Sequence, residues 1–293
     1  MPTRRLVLST LALPLLQGAC SPLATFNAVA GRDPGAARSA SGIAYGPHPR
    51  QQLDVYRPSD IRDGDRAPVV MFIYGGSWNS GGRDEYGFVG SALAARGFVT
   101  VIADYRLVPD VRFPDFLDDG ALALAWVRDN IAAHGGDPAR IGLAGHSAGA
   151  YNAVMLALEP RFLRKAGVDP RLVKAVVGIS GPYDFYPWRS AEAEAALGAW
   201  PDPRATQPVT FARRDAPPML LASGADDTTV RSTNTVTLAA RLNAAGAPVS
   251  TRIYPGLGHV DILTGMSRLL RQRGTALDDM DAFFKVQLRA RTP

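Results

Sequence analysis

The stretch Ile141-Gly142-Leu143-Ala144-Gly145-His146-Ser147-Ala148-Gly149, followed by Ala150-Tyr151-Asn152-Ala153-Val154-Met155-Leu156-Ala157-Leu158, decides how this chain folds. Ile141 to Ala144 is a short apolar run of the kind that forms a buried strand. Tyr151 to Leu158 is Ala-rich and helix-compatible. Between them, Gly145-His146-Ser147-Ala148-Gly149 is a G-x-S-x-G turn, a pattern that carries chemical meaning when a strand enters it and a helix leaves it. Such a turn is tight enough to strain the serine backbone, and side chains at its flanks would clash. Glycines at 145 and 149 remove the clash and expose the Ser147 hydroxyl above the sheet. Ser147 is therefore the candidate nucleophile, rather than a helix N-cap that mimics one.

Working outward from this turn, apolar runs recur on both sides. Leu53-Asp54-Val55-Tyr56 alternates and stops at Pro58, and Val69 to Tyr74 is continuously apolar, as a strand buried on both faces should be. Phe98 to Ala103, Ala175 to Ser180, Met219 to Ser223 and Val249 to Tyr254 follow. Helical stretches are expected near 85–96, 115–133, 148–158, 232–245 and 276–290. Alternation of this kind predicts one α/β domain over residues 42–293, with a mostly parallel sheet covered by helices on both faces. Residues 20–41, rich in Ala, Gly, Pro and Ser without a sustained period, read as a linker.

The composition supports a packed domain and excludes several classes. Hydrophobic residues make up 46% of the 293 and charged residues 20%, enough apolar surface for a core and too little charge for disorder. The formal charge of +5 is mostly scattered Arg, the only lysines being Lys165, Lys174 and Lys285. A dispersed cationic surface of that sort does not track a phosphate backbone, so no nucleic-acid partner is expected. At the N-terminus, a basic Met1 to Arg5 precedes an apolar Leu6 to Leu16 that is too short to span a bilayer. Gly18-Ala19 then precedes Cys20, the single cysteine. This arrangement resembles a bacterial lipoprotein signal over residues 1–19, cut before Cys20 so that its thiol carries a lipid anchor. It implies an exported protein, periplasmic or membrane-tethered. Gln17 departs from the usual aliphatic residue three places before the cysteine, and a plain signal peptide is the alternative.

A serine hydroxyl needs a general base. Of the four histidines, His48 lies beside prolines before the core, and His134 precedes Gly135-Gly136 at a helix end. His146 is the variable residue of the turn and is expected to point away from Ser147. His259 remains, in Pro255-Gly256-Leu257-Gly258-His259 after the last strand, where folds of this class place their chemistry. The base needs an acid to fix its tautomer, and Asp226 and Asp227 both follow the strand ending at Ser223. Residue types alone leave that choice open. The order Ser, Asp, His is nonetheless the α/β-hydrolase order, and the amide of Ala148 is one expected oxyanion donor.

From Tyr45 onward the chain resembles the α/β-hydrolases of the esterase/lipase superfamily, near the carboxylesterase, feruloyl-esterase-like and kynurenine-formamidase-like branch. The residues that carry the resemblance are the turn itself, Leu53-Asp54-Val55-Tyr56-Arg57-Pro58, Tyr74-Gly75-Gly76-Ser77-Trp78 and Asp104-Tyr105-Arg106-Leu107. Gly136-Asp137-Pro138-Ala139-Arg140-Ile141 and Ser180-Gly181-Pro182-Tyr183-Asp184 extend it. The resemblance implies that Asp227, in a Gly-x-x-Asp-x-x-Val pattern, is the acid, and that Gly76 and Ser77 donate to the oxyanion. Tyr74 replaces the family's usual histidine at the head of that loop. Trp78 and Tyr105 flank the loop as pocket-lining or core residues. The implied activity is hydrolysis of short-chain or aryl carboxylic esters through an acyl-enzyme, with no metal or cofactor. An amidase or arylformamidase with the same residues, or a non-catalytic tethered binding protein, are the alternatives. Too little sequence lies between Ser180 and Met219 for a large cap domain, so an open site is expected.

Overall fold

A computed structural model describes residues 21–62 and 64–290. The expected leader over residues 1–19, and Cys20 at its end, lie outside the described residues. The strands are β1 (Ala36–Ala44), β2 (Gln52–Pro58), β3 (Ala67–Ile73), β4 (Val99–Ala103), β5 (Gly136–His146), β6 (Val173–Ile179), β7 (Met219–Gly224) and β8 (Val249–Tyr254). They form one sheet in the order β1-β2-β4-β3-β5-β6-β7-β8. From β4 to β8 all neighbours are parallel, while β1 and β2 add an antiparallel margin. The central strands are the apolar runs read from the sequence: Val69 to Phe72, Val99, Val101 and Leu143 are wholly buried. At the far edge β8 exposes Ser250, Thr251 and Arg252, polar residues that discourage pairing with another chain.

The helices are α1 (Pro22–Ala30), α2 (Gly87–Ala94), α3 (Asp115–Asn130), α4 (Ala148–Leu158), α5 (Pro160–Lys165), α6 (Ala191–Leu197), α7 (Thr233–Ala245), α8 (Asp261–Thr264) and α9 (Ala276–Gln287). They cover both faces of the sheet, with α2 meeting α9 on one and α3 meeting α4 on the other. Glycines set how closely they approach. A side chain at Gly142 in β5 would run into Phe284 of α9, and one at Gly120 in α3 would meet Leu156 of α4. This is the α/β-hydrolase architecture expected from the sequence.

The linker expected over residues 20–41 is a correction. Ser21 caps α1 by accepting from the Ala24 amide at 3.0 Å, and Pro22 opens the helix at its first turn. Phe26 then packs edge-on against Phe88 at 5.3 Å, and the Asn27 side chain bonds the Phe88 amide and the Asp84 carbonyl. β1 pairs antiparallel with β2 from Ala36 to Ala44. The segment hid its structure because its strand lies at an edge, mostly exposed, and its helix buries little beyond one face. Neither needs the apolar periodicity that marks a core element.

Between β6 and β7 the chain forms only α6 and two single-turn helices, Pro203–Thr206 and Pro208–Phe211. They lie against the main body: the Phe113 amide donates to Ala196 at 2.8 Å, Phe113 meets Trp200 at 5.0 Å, and Tyr151 Oη donates to the Thr206 carbonyl at 2.7 Å. As expected, this segment builds no large cap. For the core itself, Phe284→Ala should lower the free energy of unfolding by about 3–5 kcal/mol, because a fully buried ring against β5 and Phe98 is lost. Urea denaturation of the two proteins would measure it.

Candidate active site

The parallel strands all point their carboxyl ends the same way, and the candidate residues follow those ends. β5 stops at His146, Ser147 has φ 56° and ψ −126°, and α4 starts at Ala148. That conformation is strained for a residue with a side chain, at roughly 1–3 kcal/mol, and the surroundings enforce it. The Ser147 amide donates to the Ile179 carbonyl at 2.9 Å, and the Tyr151 amide returns to the Ser147 carbonyl at 3.1 Å. A Cβ at Gly149 would collide with the carbonyls of Ile73 and Tyr74, and one at Gly145 with the Gly149 main chain. A side chain at Gly149 would push the end of β3 away, and one at Gly145 would push away the start of α4.

The loops after β7 and β8 are lashed together. The Ala225 amide donates to Tyr254 at 2.9 Å and the Asp226 amide to Leu257 at 3.1 Å. The two aspartates part here. Asp226 is exposed, while Asp227 is buried, with Oδ1 accepting from the amides of Thr229 at 3.0 Å and Val230 at 2.8 Å. Its Oδ2 meets His259 Nδ1 at 2.8 Å. Burial by itself would raise the Asp227 pKa, but the bonds from His259 and the Val230 amide outweigh it and hold the carboxyl below its ordinary value. An ionised carboxylate only accepts, so His259 Nδ1 carries a proton, and in the neutral ring Nε2 is then the bare nitrogen. Nε2 lies 2.9 Å from Ser147 Oγ. Three residues spread over 112 positions thus form one hydrogen-bonded line.

On the other side of Ser147 runs the loop after β3. Gly76, Ser77 and Trp78 all take positive φ, 124°, 50° and 60°. Gly75 sits so close to the turn that a Cβ there would be 2.8 Å from Ser147 Cβ. The amides of Gly76, Ser77 and Ala148 donate to no acceptor among the described residues. Tyr74, in the place of the expected histidine, holds the loop from below. Its hydroxyl donates to Asp104 Oδ1 at 2.9 Å and accepts from Arg50 at 2.8 Å, and its ring stacks on Tyr105 at 4.9 Å. Arg50 also bonds the carbonyls of Gly81 and Tyr105. Nothing in the sequence marked Arg50 for this role, since its partners are main-chain atoms and a tyrosine far along the chain.

Trp78 and Tyr105, expected either to line a pocket or to pack in the core, support the loop from within. Both are buried, at 3% and 2% exposure. Tyr105 donates to the Tyr74 carbonyl at 3.1 Å, and Trp78 donates through its indole nitrogen to Asn152 at 3.1 Å while stacking on Phe116 and Phe185. A polar atom satisfied inside the protein anchors such a ring, and here the anchoring fixes the loop.

His146, expected to point away from Ser147, has its ring against that of His259. It does not simply turn away: its ring is 4% exposed, 4.8 Å from the His259 ring, and its Nε2 donates to the His259 carbonyl at 2.8 Å. Burial drives its pKa down to about 3, the neighbouring His259 adding to the effect. No local signal could have shown this, because the partner is a carbonyl 113 residues away. The other two histidines stand apart: His48 accepts from the Arg50 amide at 3.1 Å, and His134 packs against Trp126 with its pKa lowered by burial and by Arg57.

Comparison with known proteins gives a consistent picture. The sequence model of the family described as BD-FAE matches residues 53–242. The chain is 33% identical over 241 residues to isoprenylcysteine alpha-carbonyl methylesterase ICME of Arabidopsis thaliana, covering 75% of this chain and 56% of that protein. It is 34% identical over 244 residues to esterase LipC of Mycobacterium tuberculosis, covering 76% and 60%. It therefore spans little more than half the length of these curated relatives. Among solved structures, the apo form of Thermogutta terrifontis esterase 2 superposes with a TM-score of 0.70 at 25% identity, covering 88% of this chain and 97% of that one.

His146 should leave a signature in the pH dependence of stability. Its pKa is about 3 when folded against 6.5 for the free side chain, so between those values the unfolded chain binds a proton that the folded chain refuses. Stability conferred by the neutral ring is complete above about pH 6.5 and falls as pH drops toward 3, by up to about 1.4 kcal/mol per pH unit. Urea denaturation at pH 7 and pH 5 should show a smaller loss for His146→Gln than for the wild type.

Proposed function

Because the chain belongs to the BD-FAE family, within the α/β-hydrolase esterases, we propose that it is a serine hydrolase that cleaves carboxylic esters through an acyl-enzyme. The observation that carries this reading is the continuous line from Ser147 Oγ through His259 to Asp227, with bonds of 2.9 and 2.8 Å. In the proposed reaction Ser147 Oγ attacks the ester carbonyl while His259 Nε2 takes its proton. Asp227 keeps the Nδ1 proton in place and stabilises the imidazolium that forms. The tetrahedral oxygen accepts from the amides of Gly76, Ser77 and Ala148, donors with no other acceptor among the described residues. His259 then returns the proton to the departing alcohol, and water repeats the sequence to release the acid.

The strain at Ser147 fits this reading. A strained backbone that packing enforces is stored where geometry matters for chemistry. With only α6 and two short turns between β6 and β7, we propose that the site takes soluble short-chain or aryl esters rather than long lipid chains.

Reaction with an organophosphonate serine probe tests the reading: a folded protein that is not labelled at Ser147 would refute it in favour of a binding role. Ser147→Ala should abolish turnover of nitrophenyl esters with stability essentially unchanged. Asp227→Asn should lower kcat by about 10⁴, because His259 loses both its tautomer and its charge partner, whereas Asp226→Asn should stay near the wild type. Comparable losses in the two aspartate variants would argue against the assignment.

A further inference from the structure

We propose that His146 is a positioning residue for His259, holding the main chain of the base in register while the acyl-enzyme exists. The inference rests on the serine-hydrolase reading. It begins from a bond at the entry to α8. Around this short helix the Ile262 amide donates to Gly258 at 3.4 Å and the Thr264 amide to Val260 at 2.9 Å. The His259 carbonyl lies between those two acceptors, and it takes its bond from His146 Nε2 instead. The main-chain acceptor of His259, just before the N-cap of α8, is thus taken by a buried side chain at the end of β5. Because a carbonyl only accepts, His146 Nε2 carries the proton, and the neutral ring leaves a bare Nδ1 with no partner among the described residues. A buried ring nitrogen without a partner costs stability, which a merely space-filling residue would avoid.

The arrangement gives Ser147 and His259 two independent ties. One is the bond from Ser147 Oγ to His259 Nε2, the other the bond from the adjacent His146 to the His259 main chain. Only the second survives acylation. When Ser147 Oγ bonds the acyl carbon, its proton passes through His259 to the departing alcohol. The ester oxygen that remains has no proton to offer Nε2. In the second half-reaction Nε2 must take a proton from water as the water oxygen attacks the acyl carbon, and then return it to Ser147 Oγ. Asp227 still holds the ring at Nδ1, but the chain from which the ring hangs is tied to the nucleophile's turn through His146. The 4.8 Å between the two rings also requires His146 to stay neutral, since His259 becomes a cation in both half-reactions.

Loss of this tie should therefore slow deacylation more than acylation. The test uses first-turnover and steady-state release of nitrophenolate from nitrophenyl acetate by the full chain, with wild type, His146→Leu and His146→Gln. His146→Leu should lower kcat by about 10- to 100-fold, the scale of a small misplacement of a catalytic group. Its kcat/KM should change little, so KM falls with kcat, and a burst of one nitrophenolate per site should appear before the slow steady state. His146→Gln, whose amide can still donate to the His259 carbonyl, should recover most of kcat. If His146→Leu does not fold by circular dichroism, His146→Asn, too short to reach the carbonyl, carries the same expectation. Wild-type kcat in the variant that folds would overturn the proposal. So would equal losses in both half-reactions with no recovery in His146→Gln, which mark a structural role. Failure of the wild type to be labelled by the phosphonate would instead overturn the hydrolase reading itself.

Discussion

The close approach of three backbones around Ser147 is the constraint on which the rest of the site depends. The turn after β5, the loop after β3 and the start of α4 meet where there is no room for a Cβ, at Gly75, Gly145 and Gly149. Close-packed interiors leave no slack to absorb an added methyl group, so these positions set the separation of Ser147 from the loop amides. They also force Ser147 out of the ordinary allowed regions. The strain at Ser147 and the close approach of the loop after β3 are two results of one packing decision.

Electrostatics then organises the surroundings by the rule that a buried charge must be paired. Asp54, Asp104 and Asp119 are all nearly inaccessible, and each meets arginine: Asp54 meets Arg38 and Arg83, Asp104 meets Arg83, and Asp119 meets Arg106. Removing one partner of such a pair leaves a charge stranded, so the network resists partial disassembly. Through Tyr74 it reaches the base of the loop after β3, where the Asp104 carboxylate accepts from the Tyr74 hydroxyl. Tyrosine can replace histidine at this position because the task is to hold the loop, and a hydroxyl with one donor bond and one accepted bond does so. Asp227 is the exception that proves useful. It is buried without an arginine, and its charge is satisfied by two amides and the His259 ring, leaving the imidazole as its only titratable partner.

Several determinants are local and were legible in the sequence. The G-x-S-x-G turn between a buried strand and an Ala-rich helix locates Ser147, because only glycine tolerates the flanks of so tight a turn. Continuous apolar runs locate the central strands, because parallel strands are buried on both faces. Chain order brings His259 and the paired aspartates to strand ends, and the family pattern distinguishes Asp227 from Asp226 where side-chain chemistry cannot. The tertiary structure decided what depends on contacts between distant segments. It folded Pro22–Ala30 and Ala36–Ala44, whose edge position leaves no periodic trace, into a helix and a strand. It set Trp78 and Tyr105 in the core beside the loop, a choice the sequence left open, since burial depends on what packs above a ring and not on the ring itself. It joined His146 to a carbonyl 113 residues away, a bond that no spacing rule could contain because a main-chain acceptor has no residue identity to read.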